Sequence, residues 1–210
     1  QRNTVSTQNG SVINEFELTA IDYEENTHFF LSQHFRDAYD LALKNYPFIA
    51  SNVQITRIEV WVTNRSQQTE NVRQIVGFQD LGEYNPEKVR FGGPQNFFRA
   101  TESLPDNEAN LLNPAWIGGE GLPSSIRTAA GAASGLSLLG EPLINGLDYA
   151  SLENARKLEA GLDYSYHRQL GYLSLNQPLA TDEVLAVAFE YTYNGSVYTV
   201  GEFSNDNQRD

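Results

Sequence analysis

A chain of 210 residues carrying 27 acidic against 14 basic side chains, with a formal net charge of -13 and a pI near 4.6, repels polyanions. Phosphate binding draws its affinity from Lys and Arg neutralisation with counterion release, so nucleic acid and anionic membrane surfaces are not expected partners. The lack of cysteine removes disulfide frameworks, zinc knuckles and thiol nucleophiles together, because each requires a thiolate.

Methionine is absent and the chain opens on Gln1, which reads as an excised or processed segment. Residues 1-10 are polar and aperiodic, a disordered lead-in. From there the composition divides the chain into a helix-plus-sheet region over 11-83, an irregular connection over 84-146 and a β-sandwich-like region over 147-210. Phe16, Leu18 and Ala20 alternate with polar neighbours, the pattern of a half-buried strand over 12-21. A helix is expected next, capped by Asn26 or Thr27 and carrying Leu31, Phe35, Ala38, Tyr39, Ala42, Leu43 and Tyr46 at steps of three and four until Pro47 ends it. On such a helix His28 and His34 fall on different faces and cannot chelate one ion.

From Val53 the period switches to two, predicting a strand over Val53 to Thr63, with a bulge where the apolar parity shifts between Ile55 and Ile58. A second strand over Val72 to Leu81 follows a polar loop. It pairs antiparallel with the first or crosses to an opposite sheet. The Pro- and Gly-rich middle offers short helices over Ser103 to Asn113 and Ser124 to Leu139, the latter weakened by Gly131 and Gly135. Phe97, Phe98 and Trp116 lie in this region and are its candidates for partner contact. Strands return at Leu152 to Leu158, Tyr164 to Tyr166 and Tyr172 to Leu175. A hairpin then closes on Asn194-Gly195, which suits a two-residue type I′ turn. That turn sets Tyr193 opposite Ser196, Tyr191 opposite Tyr198 and Phe189 opposite Val200. It also leaves the small side chains Ala186 and Ala188 on one face, where another layer can approach closely.

Signs of chemistry are few. The sequence holds three histidines and has no Gly-x-Ser-x-Gly elbow and no phosphate-binding Gly-rich loop ending in Lys-Ser/Thr. Gly118-Gly119-Glu120-Gly121 reads as a turn. Asp106, Glu108 and Asn110 have the opening spacing of a calcium loop, but Leu111 stands where Gly is needed and Ile117 where a bidentate Glu is needed. Adjacent carboxylates such as Glu24 and Glu25 diverge in direction, so they do not make a glycosidase pair. No catalytic, cofactor-binding or metal-binding residue is therefore expected, and the chain is not expected to be an enzyme. Phe35, Tyr39, Trp61, Phe78, Phe189 and Tyr191 fall within predicted elements and are assigned to the core.

Several stretches carry a resemblance. They include His28-Phe29-Phe30-Leu31 through Pro47, Ile55 to Arg65, and Val76 to Glu83 with its Asp80-Leu81-Gly82-Glu83. In the tail they include Leu170 to Asn176, Asp182 to Tyr191, Tyr193-Asn194-Gly195 and Val200-Gly201-Glu202-Phe203-Ser204. Together they resemble the SprA (Sov) gliding-motility family, the outer-membrane translocon of the type IX secretion system. The resemblance implies a soluble insertion of a giant barrel, a structural and interaction module with no cofactor and no catalytic residue to carry over. Its implied partners are the rest of the barrel, accessory outer-membrane subunits or secreted cargo, with the segment itself not inserted in the membrane. The long outer loops usual in such barrels favour the cell surface over the periplasm. The expected class is mainly β (α+β), with antiparallel sandwich-like sheets, one amphipathic helix near the N-terminus and a partly helical middle. A carbohydrate-binding module presenting a coplanar aromatic platform is the alternative reading.

Overall fold

The structure, a computed structural model, describes residues 24-65, 69-79, 104-109, 113-119, 122-140 and 143-205. The strand expected over 12-21 and the candidate contacts Phe97 and Phe98 lie outside the described residues. In chain order the elements are β1 (His28–Phe30), α1 (Gln33–Leu43), β2 (Val53–Thr63), β3 (Val72–Phe78), α2 (Ala129–Leu136), β4 (Tyr149–Lys157), β5 (Tyr164–His167), β6 (Tyr172–Leu175), β7 (Leu185–Tyr193) and β8 (Ser196–Val200). The strands form a three-stranded antiparallel sheet, β1-β6-β5, and a five-stranded one, β3-β4-β2-β7-β8. This is the mainly β class that the alternating runs predict.

Strand β2 occupies the residues that alternation marks and lies at the centre of the larger sheet. Val53, Ile55, Val60 and Val62 enter the main core, while Glu59 and Trp61 turn to the other face. The parity change is absorbed where the register against β7 slips between Ile55 and Arg57. There Thr56 Oγ1 donates to the Glu190 carbonyl at 3.2 Å and to its carboxylate at 2.7 Å, which satisfies the bulged residue. The β7–β8 hairpin turns at Asn194 (φ 50°) and Gly195 (φ 87°), the positive angles that a type I′ turn demands. Its pairs run Tyr193↔Ser196, Tyr191↔Tyr198 and Phe189↔Val200, as a two-residue loop dictates.

The first correction concerns β3. It does not pair with β2: β4 lies between them, meeting β2 only from Trp61↔Lys157 to Thr63↔Ala155 and meeting β3 along its length. The β3–β4 ribbon curls over the second face of β2 and β7, where Ile75, Ala150 and Leu152 pack with Trp61, Ala155 and Ala186. A Cβ added at Gly77 would stand 3.5 Å from that of Ala186. Loop length alone favours the sequential neighbour; the need to cover Trp61 selects the distant one. Strand β3 also ends at Phe78, short of Leu81, and β4 begins earlier than expected, at Tyr149.

Helix α1 begins at Gln33, not near Asn26 or Thr27. Ser32 is its N-cap, with Oγ accepting from the Phe35 amide at 3.3 Å. Residues 28-30 have helical spacing, yet β6 claims them as a strand with Phe29 opposite Leu173, so tertiary pairing overrides local periodicity. His28 is therefore on a strand and His34 on the helix. The helix ends at Leu43, which leaves Tyr46 outside it and 78% exposed rather than on its buried face.

Of the helix expected over Ser103 to Asn113, the described residues contain a single 3-10 turn at Asn107–Ala109. The stretch Ser124 to Leu139 is helical in three pieces: a 3-10 turn at Ser124–Arg127, α2 capped by Thr128, and a 3-10 turn at Ser137–Leu139. Its glycines have a packing reason. A Cβ on Gly131 would lie 2.3 Å from the Ser125 carbonyl oxygen, and one on Gly135 would lie 3.1 Å from Ile126. This unit buries Leu122, Ile126, Ala132 and Leu136 against Tyr149, Val76 and Phe78 on the outer face of the ribbon.

The main core lies between β2–β7–β8 on one side and α1 with the small sheet on the other, around Phe35, Ile55, Val60, Tyr164, Leu173, Phe189 and Tyr191. Burying each of the large side chains contributes about 1.5–3 kcal/mol. Gly171 is the closest fit: its φ is +63°, and a Cβ there would meet the Phe35 ring at 2.3 Å.

Candidate functional site

Among the charged groups that the described residues bring together, two networks join several segments at once. Glu59, on the side of β2 that faces away from the main core, is 6% exposed. Its Oε1 accepts from Lys157 Nζ at 2.9 Å and from Ser204 Oγ at 2.8 Å, and its Oε2 accepts from the Ser204 amide at 3.0 Å. Burial pushes the Glu59 carboxyl up, but the Lys157 and Ser204 hydrogen bonds and the Lys157 charge outweigh it and hold the group below its ordinary value. Lys157 also lies 5.6 Å from the Trp61 ring centroid. The network thus ties β2, β4 and the chain beyond β8 together.

The second gathering pins the middle segment. Arg127 makes a two-pronged ion pair with Glu202, Nε to Oε2 at 2.7 Å and Nη2 to Oε1 at 2.5 Å, and its remaining donors reach the carbonyls of Ile117 and Pro114 at 3.4 Å. Nearby, Asn107 bonds both main-chain groups of Gly201, its Oδ1 accepting at 2.7 Å and its Nδ2 donating at 3.1 Å. The Thr199 amide bonds the Asp106 carboxylate, and Tyr191 donates to the Pro105 carbonyl at 2.9 Å. The outward edge of β8 is thereby covered at Thr199 and Gly201, which blunts it against pairing with another chain.

Between β2 and β5 a cleft of about 430 Å³ opens, lined by Arg57, Ile58, Glu59, Asn71, Lys157, Leu158, Glu159, Ala160, Tyr164 and Asn205. Burial first, then the neighbouring Tyr166, Glu59 and Asp163, pushes the Tyr164 hydroxyl up to about 12. Arg57 stacks on Phe203 with its guanidinium carbon 3.7 Å from the ring centroid. Among the described residues no three His, Asp or Glu side chains converge as metal ligands would. Asp106, from the rejected calcium spacing, takes amide hydrogen bonds from Asn107, Thr199 and Glu108.

Large apolar side chains are left outside at one end of α1. Leu41, Tyr46 and Phe48 are 71%, 78% and 79% exposed around a tight turn in which the Phe48 amide donates to the Asn45 carbonyl at 3.0 Å across a cis Tyr46-Pro47 bond. Trp116, the described member of the predicted contact set, is 36% exposed in a 3-10 turn capped by Asn113. A family model described as motility related/secretion protein, SprA_N, matches residues 1–197.

The chain belongs to the SprA_N family. Among curated proteins none matches it. No helix among the described residues of this SprA_N chain is long and apolar enough to cross a membrane, which leaves strands aside. Sequence reasoning placed Trp116 on the surface segment but missed the α1 tip, because Tyr46 continued the helical spacing and was read as part of the helix. The one available signal was Pro47 followed by Phe48, an aromatic with no periodic partner. The edge-on packing of Phe30, Tyr39 and Tyr172, with centroids 5.3–6.2 Å apart and planes at 72–77°, joins α1, β1 and β6 and differs from the coplanar platform that sugar stacking would use.

Proposed function

We propose that this chain is a structural and interaction module of the type IX secretion outer-membrane translocon, acting through its surface and not through chemistry of its own. Its partners in this reading are the barrel that carries it and an accessory subunit or passing cargo. It stands on the extracytoplasmic side of the outer membrane, at the cell surface. The reading rests on membership of a motility and secretion family. One observation carries it further: both charged networks hold segments in place, while Leu41, Tyr46 and Phe48 are left in solvent. Exposed apolar groups clustered at one tip mark contact surfaces on otherwise polar proteins. The negative net charge favours a partner that is neutral or basic around an apolar centre.

The test is a triple substitution, Leu41→Ser, Tyr46→Ser and Phe48→Ser, in the full-length protein. These side chains lie outside the core, so folding stability stays within about 0.5 kcal/mol and the barrel assembles. Export of secreted cargo and colony spreading both fall. Normal export by an assembled triple variant removes the reading. Protease accessibility of the tip in intact cells decides between surface and periplasm.

A further inference from the structure

We infer that the cleft between β2 and β5 is a binding site for a single uncharged sugar residue. Tyr164 is only 2% exposed and lines the cleft, yet no described residue hydrogen-bonds its hydroxyl. Its hydroxyl is not sealed from solvent, so its hydrogen-bonding capacity is open to a ligand in the cleft. The hydroxyl stays protonated at neutral pH, so it both donates and accepts.

The floor of the cleft points the same way. In the β2–β7 register, Gln54, Arg57, Glu59 and Trp61 direct their main-chain groups towards β7, and the intervening residues direct theirs to the opposite edge. Strand β4 follows that edge until the Leu158 amide donates to the Val60 carbonyl at 2.8 Å, and the chain then turns away through Glu159 to Asp163. Ile58, which lines the cleft, is left on an edge with no strand beside it among the described residues. It offers one N–H and one C=O. Asn71 and Asn205 each add a side-chain amide, again one donor group and one acceptor.

Charge decides the ligand class. The lining cations Arg57 and Lys157 are matched by the carboxylates Glu59 and Glu159, so the cleft is neutral among the described residues of a strongly acidic chain. Glu59 and Lys157 are moreover committed to each other. Arg57 is stacked on Phe203, and the uncharged polar groups of the lining, the Tyr164 hydroxyl, the Asn71 and Asn205 amides and the Ile58 main chain, donate and accept together, the property of a sugar hydroxyl. Leu158 and Ala160 supply apolar surface for the C–H face of a ring. A volume of about 430 Å³ lies at the small end of the roughly 300–1,000 Å³ of small-molecule sites, which suits one ring and not a polymer laid along a groove.

The experiment is an amide-resolved NMR titration of the 210-residue chain with glucose, galactose and N-acetylglucosamine separately, and with triglycine amide as an uncharged peptide control. At least one sugar gives saturable shifts centred on Ile58, Leu158 and Asn205, with a millimolar Kd. Tyr164→Phe weakens that binding about five- to tenfold with an unchanged melting temperature, since the hydroxyl holds nothing in the protein. Asn71→Ala, on a different segment, weakens it similarly and serves if the phenylalanine variant folds poorly. Three silent sugars, a response to triglycine amide alone, or wild-type affinity in both variants overturns the proposal. None of these outcomes touches the α1 tip, whose test is export by the full-length protein.

Discussion

Replacing Lys157 with Met isolates what the Glu59 network contributes. The substitution keeps the apolar stem against Trp61 and removes the ammonium, leaving a carboxylate that is 6% exposed with only the two Ser204 donors. Breaking a fully buried pair by removing one partner costs about 3–5 kcal/mol, whereas a solvent-exposed pair is worth about 0–1 kcal/mol. The Lys157 side chain is 32% exposed against 7% for Glu59, and Ser204 still satisfies the carboxylate in part, so the expected loss is about 2 kcal/mol. For a chain of this size that lowers the melting temperature by about 4–8 °C.

The pH dependence supplies the sharper test. Glu59 is held below its ordinary value in the folded state, so its contribution is full above the unfolded carboxylate pKa of about 4.3 and is lost as pH falls through the lower folded value. Without Lys157 only the Ser204 hydrogen bonds oppose burial, so the variant's folded pKa lies above that of the wild type and acid costs the variant less. The gap between wild type and Lys157→Met, read from urea unfolding, is therefore largest near neutral pH and narrows below about pH 4.3. A loss under about 0.5 kcal/mol, or a gap that stays constant with pH, refutes this account.

Gly171→Ala forces a left-handed residue, costing about 1–2 kcal/mol, and drives a methyl into the Phe35 ring, costing a further ~1–3 kcal/mol. Urea unfolding should show a total of about 2–5 kcal/mol, and a loss under about 1 kcal/mol refutes the packing argument. Asn107→Ala removes both bonds to Gly201 and costs about 1–2 kcal/mol. Hydrogen exchange should rise at the Gly201 amide while the β2–β7 ladder stays protected, and unchanged exchange there refutes the covered edge.

How far the sequence could be read depended on whether each feature was local. Strand β2, its bulge, the Asn194-Gly195 turn and the register that follows from it were all legible, because period-two alternation and positive φ are properties of neighbouring residues. The helix start was not legible. Residues 28-30 have helical spacing, and only pairing with a strand more than a hundred residues away turns them into β1. The cleft was equally hidden, since Tyr164, Ile58 and Asn205 become neighbours only when β4 departs from β2 beside them.

By itself the sequence determined the sign of the surface charge, the mainly β character and the hairpin closure, each set by composition or by spacing along a few residues. The tertiary structure alone decided that β4 separates β2 from β3 and that Tyr46 stands in solvent. Such outcomes turn on which of several apolar faces finds cover, a competition among segments far apart in the chain, and local patterns hold no information about who wins it.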